Sequence, residues 1–287
     1  MLYFPLNIHT DKKMIKLGNA AALLRIDYAE CKEIMGIRDV QFDDEGRQKA
    51  ISFTNNAWHI LTDQLPTRNP NHLLSWQFSN FILAVNERQN AELVGLAMKI
   101  LGNTKTGPYV GFSGNPQQLP FAIHYLRHCP YWGGDTQRFD RAYIKRLKCL
   151  VARLEAAKFD ERWPIIVEKF LYAESHGVPS DQLRYLELSV ILEMLFLPNK
   201  SAELSYRFQL RVAKWFHKHY KYDLSNVSDQ AKKIYSNRCK LAHSGKATIG
   251  KEDLDELRLL VRNVLIKYIF EDGIFKDKYL DDLCLIG

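Results

Sequence analysis

With 287 residues, 46% of them apolar and 12% aromatic, the chain carries enough nonpolar surface for one large hydrophobic core or two modest ones, which excludes a disordered or low-complexity protein. The net charge of +7, with a pI near 9.0, is unevenly spread, and the basic stretch from Arg207 to Lys246 would attract a polyanion such as nucleic acid, a solvated basic face being the alternative. The five cysteines (Cys31, Cys129, Cys149, Cys239, Cys284) are odd in number, scattered and without a CxxC pair, which argues against a disulfide framework or a zinc ribbon and fits a reducing cytoplasm.

The opening "MLYFPLNIHTDKK" has too short an apolar run for a signal peptide, and nowhere do eighteen apolar residues follow one another, so no membrane span is expected. In "LLSWQFSNFILAV", Leu74, Trp76 and Phe78 alternate with polar residues at strand period, and the phase slips at Asn80 as at a bulge. Next, "NAELVGLAMKILGN" spaces Leu93, Leu96, Ala97 and Ile100 for a helix ending at Gly102. The Gly- and Pro-rich "GPYVGFSGNPQQLP" then marks a boundary region near 103–135. His124 and His128, four apart beside Cys129, would share a helix face. Packing or surface positions suit them better than a metal site, and no metal or cofactor is expected.

From 136 onward the pattern is helix after helix. "TQRFDRAYIKRLKCLVARLEAAKF" is amphipathic and basic, and "ERWPIIVEKFLYAESHG" has Pro164 early and Gly177 past its end. "SDQLRYLELSVILEMLFLP" is apolar nearly all round and predicts the most buried helix, stopped by Pro198. "SAELSYRFQLRVAKWFHKHY" starts from a Ser201 cap and lines up Leu204, Phe208, Val212 and Trp215. A helix over 225–242 follows, then "GKEDLDELRLLVRNVLIKYIF", acidic in its first turn as the helix dipole prefers. The expected fold is mostly α: an antiparallel helical bundle over 136–287, preceded by a smaller mixed α/β domain over 1–135 with a sensing or regulatory part to play. Charge follows the same division. Residues 1–136 hold 13 Lys/Arg against 12 Asp/Glu, whereas 207–246 holds ten against two.

Three segments in order, "LELSVILEMLFLP", "SAELSYRFQLRVA" and "SNRCKLAHSG", resemble the Apea-like branch of the HEPN superfamily, whose members carry an R-x(4-6)-H motif on a late helix. The resemblance covers about residues 137–270. It implies a helical bundle that forms a homodimer and, in active members, cleaves RNA without a metal in phage defence, abortive infection or toxin–antitoxin systems, with an antitoxin or defence-system protein as a further partner. On this resemblance Arg238 and His243 are the catalytic pair. The residue after the motif arginine is often polar in the family and is Cys239 here.

The residue chemistry suits that role. Histidine titrates closest to neutrality and can take or give a proton, and arginine holds phosphate oxygens with a planar fork of fixed charge. Five helical positions turn through about 140°, so Arg238 and His243 of one chain do not share a face, and two chains about a two-fold axis are expected to complete one cleft. Asn237, Glu203 and Arg207 are supporting candidates, the last two spaced for an i,i+4 ion pair. Lys232, Lys233, Lys240, Lys246 and Arg211 are expected to bind the RNA backbone, and the "HKH" at 217–219 is read as part of the same basic surface. No P-loop, dinucleotide fingerprint or nucleophile elbow is present. The rival expectation is a non-catalytic HEPN-like helical module binding nucleic acid, a nucleotide or a protein partner, in which Arg238 and His243 only cap the helix or form a dimer contact.

Overall fold

The structure, a computed structural model, describes residues 2–6, 8–10, 13–25, 37–42, 48–53, 81–102, 110–114, 121–125, 137–175, 178–198 and 202–285. The chain is mostly helical with an antiparallel sheet near its N-terminus, and it divides into two compact units, 1–156 and 157–287. No helix among the described residues is long and apolar enough to cross a membrane.

Among its described residues the first unit has ten strands: β1 (Leu2–Leu6), β2 (Ile8–His9), β3 (Met14–Leu17), β4 (Ala21–Arg25), β5 (Ile37–Phe42), β6 (Gln48–Phe53), β7 (Phe81–Val85), β8 (Val110–Gly114), β9 (Phe121–Tyr125) and β10 (Gln137–Arg138). Six of them make one sheet in the order β3-β4-β7-β1-β8-β9, with neighbours antiparallel. Alternation fixes which face is covered: Ile15 and Leu17 are buried between exposed Met14 and Lys16. The β3–β4 turn passes through Gly18 at φ +63, a conformation that favours glycine. A Cβ on Gly18 would meet the Glu155 carboxylate at 2.3 Å. That carboxylate accepts the Asn19 N–H at 3.0 Å, tying the turn to the helix that spans Arg141–Ala156.

Among the described residues this unit also has two helices, α1 (Arg88–Ile100) and α2 (Arg141–Ala156). Helix α1 matches its predicted span within two residues at its start, and Gly102 at φ +88 follows its end. The strand expected over 74–79 lies outside the described residues, while Phe81–Val85 is extended as β7. His124 stands in strand β9, paired with Gly111 of β8, and not on a helix. A helix there would forfeit the ladder bonds of the hairpin, and the i,i+4 relation to His128 rests on that helix.

The boundary also moves. Helix α2 was expected to open the C-terminal domain, with the division at 135/136. It packs instead against α1 and β3, and the units part between Ala156 and Ala157. The cause is the apolar stripe of Ile144, Leu147, Leu150, Val151 and Leu154, which is buried in the first unit.

The second unit holds α3 (Trp163–Ala173), α4 (Asp181–Phe196), α5 (Leu204–Tyr220), α6 (Leu224–Ser244), α7 (Lys251–Phe270) and α8 (Asp277–Leu285). Helix α4, capped by Ser180 accepting the Leu183 N–H, packs against α3, α5, α6 and α7, which explains its apolar residues on all sides. Phe196 at its end meets the rings of Phe208, Trp215 and Phe275 edge-on at 6.4, 5.6 and 5.4 Å. Such pairs contribute about 0.5–1.5 kcal/mol each beyond their buried area. Helix α5 begins at Leu204 after Glu203 in the left-handed region, and the Ser201 cap lies outside the described residues. Leu204 is only half-buried, whereas Phe208, Val212 and Trp215 are buried as expected.

Candidate functional site

Helix α6 places the motif residues on two different sides. Val227, Ala231, Ile234 and Leu241 form its buried stripe, and Arg238 falls in the same stripe between the last two. A charge there needs a partner, and Glu193 of α4 supplies it at 2.7 Å, with both side chains largely covered. The Arg238 Nε is buried without a hydrogen-bond acceptor among the described residues. Asn237 beside it is half-buried and hydrogen-bonds the Tyr185 hydroxyl of α4. Burial pushes that hydroxyl up to about 12, partly offset by the Asn237 bond. Tyr235 also titrates above its ordinary value, chiefly from burial and then from the neighbouring Cys239, to which it is hydrogen-bonded.

His243 lies on the opposite side, exposed on the last turn of α6. Gly245 at φ +64 ends the helix, with its N–H donating to the Leu241 carbonyl at 3.0 Å. The Ser244 hydroxyl donates to the Lys240 carbonyl at 2.7 Å. At 100° per residue, His243 shares its azimuth with Ser236 and Lys232, and Lys240 flanks them; all four are exposed. The outward face of α6 is therefore a cationic strip ending in an imidazole, and Lys246 is exposed just past the helix end.

Two of the expected RNA contacts are employed elsewhere. Arg211 is 1% exposed and donates to the Phe196 carbonyl at 2.7 Å, while its guanidinium pairs with Asp277 at 3.0 Å and with Asp281 of α8. It is not an RNA contact, because a side chain only 1% exposed reaches a phosphate only by giving up these buried hydrogen bonds. Lys233 pairs with Asp253 of α7. The i,i+4 pair of Arg207 and Glu203 forms at 3.6 Å, and Arg207 also approaches Asp281 at 4.0 Å. Of the "HKH" residues, His219 turns inward to Tyr279 at 2.9 Å, so it does not belong to a surface. Burial, then the nearby Lys267 charge, lowers its pKa despite Glu271.

Glu193 escaped the sequence reading. The available signal was a carboxylate inside the apolar run "VILEMLF", a position that a buried helix tolerates only beside a cation. Glu174 was missed likewise: it is buried between Arg258 at 3.1 Å and Arg262 at 2.8 Å. A cavity of about 200 Å³ in the same unit is lined by Phe159, Asp160, Arg162, Tyr268 and Phe275 among others. Its polar walls answer one another, with Tyr268 donating to Asp160 at 2.6 Å and Arg162 paired to it at 2.7 Å. Burial raises the Asp160 pKa, but the Arg162 and Tyr268 hydrogen bonds and the Arg162 charge outweigh it and leave a net lowering. Among the described residues no group of three or more His, Cys, Asp or Glu is arranged to hold a metal ion. Comparison with protein-family models, curated proteins and solved structures gives no match for this chain.

Proposed function

We propose that the chain is a metal-independent endoribonuclease of HEPN type, working as a homodimer with a helical bundle of that kind, in phage defence, abortive infection or a toxin–antitoxin system. The observation that carries this reading is the division of labour on α6: His243 exposed on a strip with Lys232 and Lys240, and Arg238 five residues earlier, oriented by Glu193. The lysines hold the RNA backbone without reading its sequence. Imidazole moves the proton between the attacking 2′-hydroxyl and the departing 5′-oxygen as phosphorus passes from one oxygen to the other. Arg238 of the second copy, whose side chain stays 27% exposed beside Glu193, places fixed charge on the crowded phosphate. A self-complementary two-fold contact brings together two groups that one chain keeps about 140° apart.

The test is incubation of the purified protein with total RNA in excess chelator, beside the His243→Ala variant, with helicity checked for both. We expect cleavage by the wild type and a loss of about 100-fold or more in the variant. Light scattering should return a dimer. Equal inactivity of both proteins sinks the reading. The pairing of Arg238 with Glu193 on a core-facing stripe favours the second reading in that event: a non-catalytic helical module in which Arg238 clips α6 to α4.

A further inference from the structure

We propose that the outward face of helix α2 is a second nucleic-acid surface, one that grips the sugar-phosphate backbone of single-stranded RNA. The inference rests on the reading of RNA as the ligand, not on its cleavage. Asp140 starts the helix by accepting the Tyr143 N–H at 2.6 Å, and the apolar stripe is spent on α1 and β3. The residues left outward include Arg141, Lys145, Arg146 and Lys148, all exposed, together with the small side chains of Ala142, Cys149 and Ala152. From Arg141 to Leu154 there is no acidic residue, and Glu155, which follows, is engaged by the Asn19 N–H.

Among the described residues none of these four cations forms an ion pair, in contrast to Arg211 and Lys233 of the second unit. Arg141 and Lys145 stand at i,i+4, and Lys145 and Lys148 at i,i+3, spacings at which like charges repel. A polyanion relieves that repulsion. A shallow, open depression lies over Arg141, Ile144, Lys145, Lys148 and Cys149. From Arg141 to Lys148 the helix rises about 10 Å, enough to meet more than one phosphate of a strand. A lipid surface fits less well, since a helix that lies in a membrane inserts large apolar side chains, and those of α2 are already buried.

Charge bookkeeping agrees once the boundary is placed at 156. Residues 1–156 hold 19 Lys/Arg against 14 Asp/Glu, and 157–287 hold 21 against 19, so the larger basic excess belongs to the first unit.

The experiment uses the 287-residue chain carrying His243→Ala, so that RNA stays intact, and measures fluorescence anisotropy of a labelled single-stranded RNA of roughly 20 nucleotides from about 50 to 300 mM salt. Adding Lys145→Glu with Lys148→Glu should weaken binding at least about 10-fold at the lowest salt and reduce the slope of log K against log salt by about 1.4, two contacts' worth. Lys145→Gln with Lys148→Gln serves if the charge reversal fails to fold, with a smaller loss and the same change of slope. Unchanged affinity and slope in the folded variant overturn the inference. So does α2-dependent sedimentation with phosphatidylserine vesicles accompanied by α2-independent RNA binding. RNA held through α2 by a wild-type protein that does not cleave it leaves this inference standing and removes the nuclease reading; cleavage with α2-independent binding does the reverse.

Discussion

Arg211 and Lys145 carry the same charge in the sequence and meet opposite fates. Arg211 interrupts the apolar stripe of α5 and is buried against the Phe196 carbonyl and the carboxylates of Asp277 and Asp281, whereas Lys145 points outward from α2. Counting cations along the chain could not separate the two, because the burial of Arg211 depends on residues 66 and 70 positions away. Losing the buried arginine forfeits its packing and its hydrogen bond to the Phe196 carbonyl, so Arg211→Ala should lower stability by about 2 kcal/mol in urea denaturation, while Lys145→Ala should change it by less than about 0.5 kcal/mol. His219 permits a pH prediction. Its native pKa is depressed, so the unfolded chain binds the extra proton more readily, and the stability it contributes is full above its ordinary pKa near 6.5 and is lost as pH falls below it. Urea midpoints should therefore drop between pH 7.5 and 5.5, and His219→Gln should flatten that part of the profile; an unchanged profile in the variant means another group is responsible.

At the scale of elements, periodicity located the helices well, and their junctions less well. The predicted spans of α1, α4 and α7 agree with the structure to within a few residues because Ser180, Gly250 and Gly102 punctuate them locally. Helix α8 was not anticipated: at nine residues it has little intrinsic stability and is held by Arg211, a partner found only in the folded chain. The same limit applies to the site. Arg238 and His243 were legible as a spaced pair, but that Arg238 faces the core and His243 the solvent follows from which stripe of α6 packs on α4. A double-mutant cycle with Glu193→Ala and Arg238→Ala should show coupling of about 1 kcal/mol between α4 and α6 in denaturation experiments. Coupling near zero would mean that Arg238 is free to leave Glu193 at little cost.

For the whole molecule, the position of α2 decides where the chain can be cut. Because its apolar stripe belongs to the first unit, a fragment starting at 136 exposes Ile144, Leu147, Leu150, Val151 and Leu154 together, and one starting at 157 does not. We expect the 157–287 fragment to be monodisperse and to unfold cooperatively, and the 136–287 fragment to aggregate, as size-exclusion chromatography and thermal melts will show. The sequence by itself determined what is local: mostly helical elements after residue 136, a strand-bearing N-terminal part, a basic excess, and a histidine five positions beyond an arginine on one helix. Only the tertiary structure decided which cations are spent on buried carboxylates, which unit owns α2, and which side of α6 meets solvent. The physical reason is that periodicity and capping act within a few residues, whereas the cost of burying a charge or an apolar stripe is settled by partners that folding brings from far along the chain.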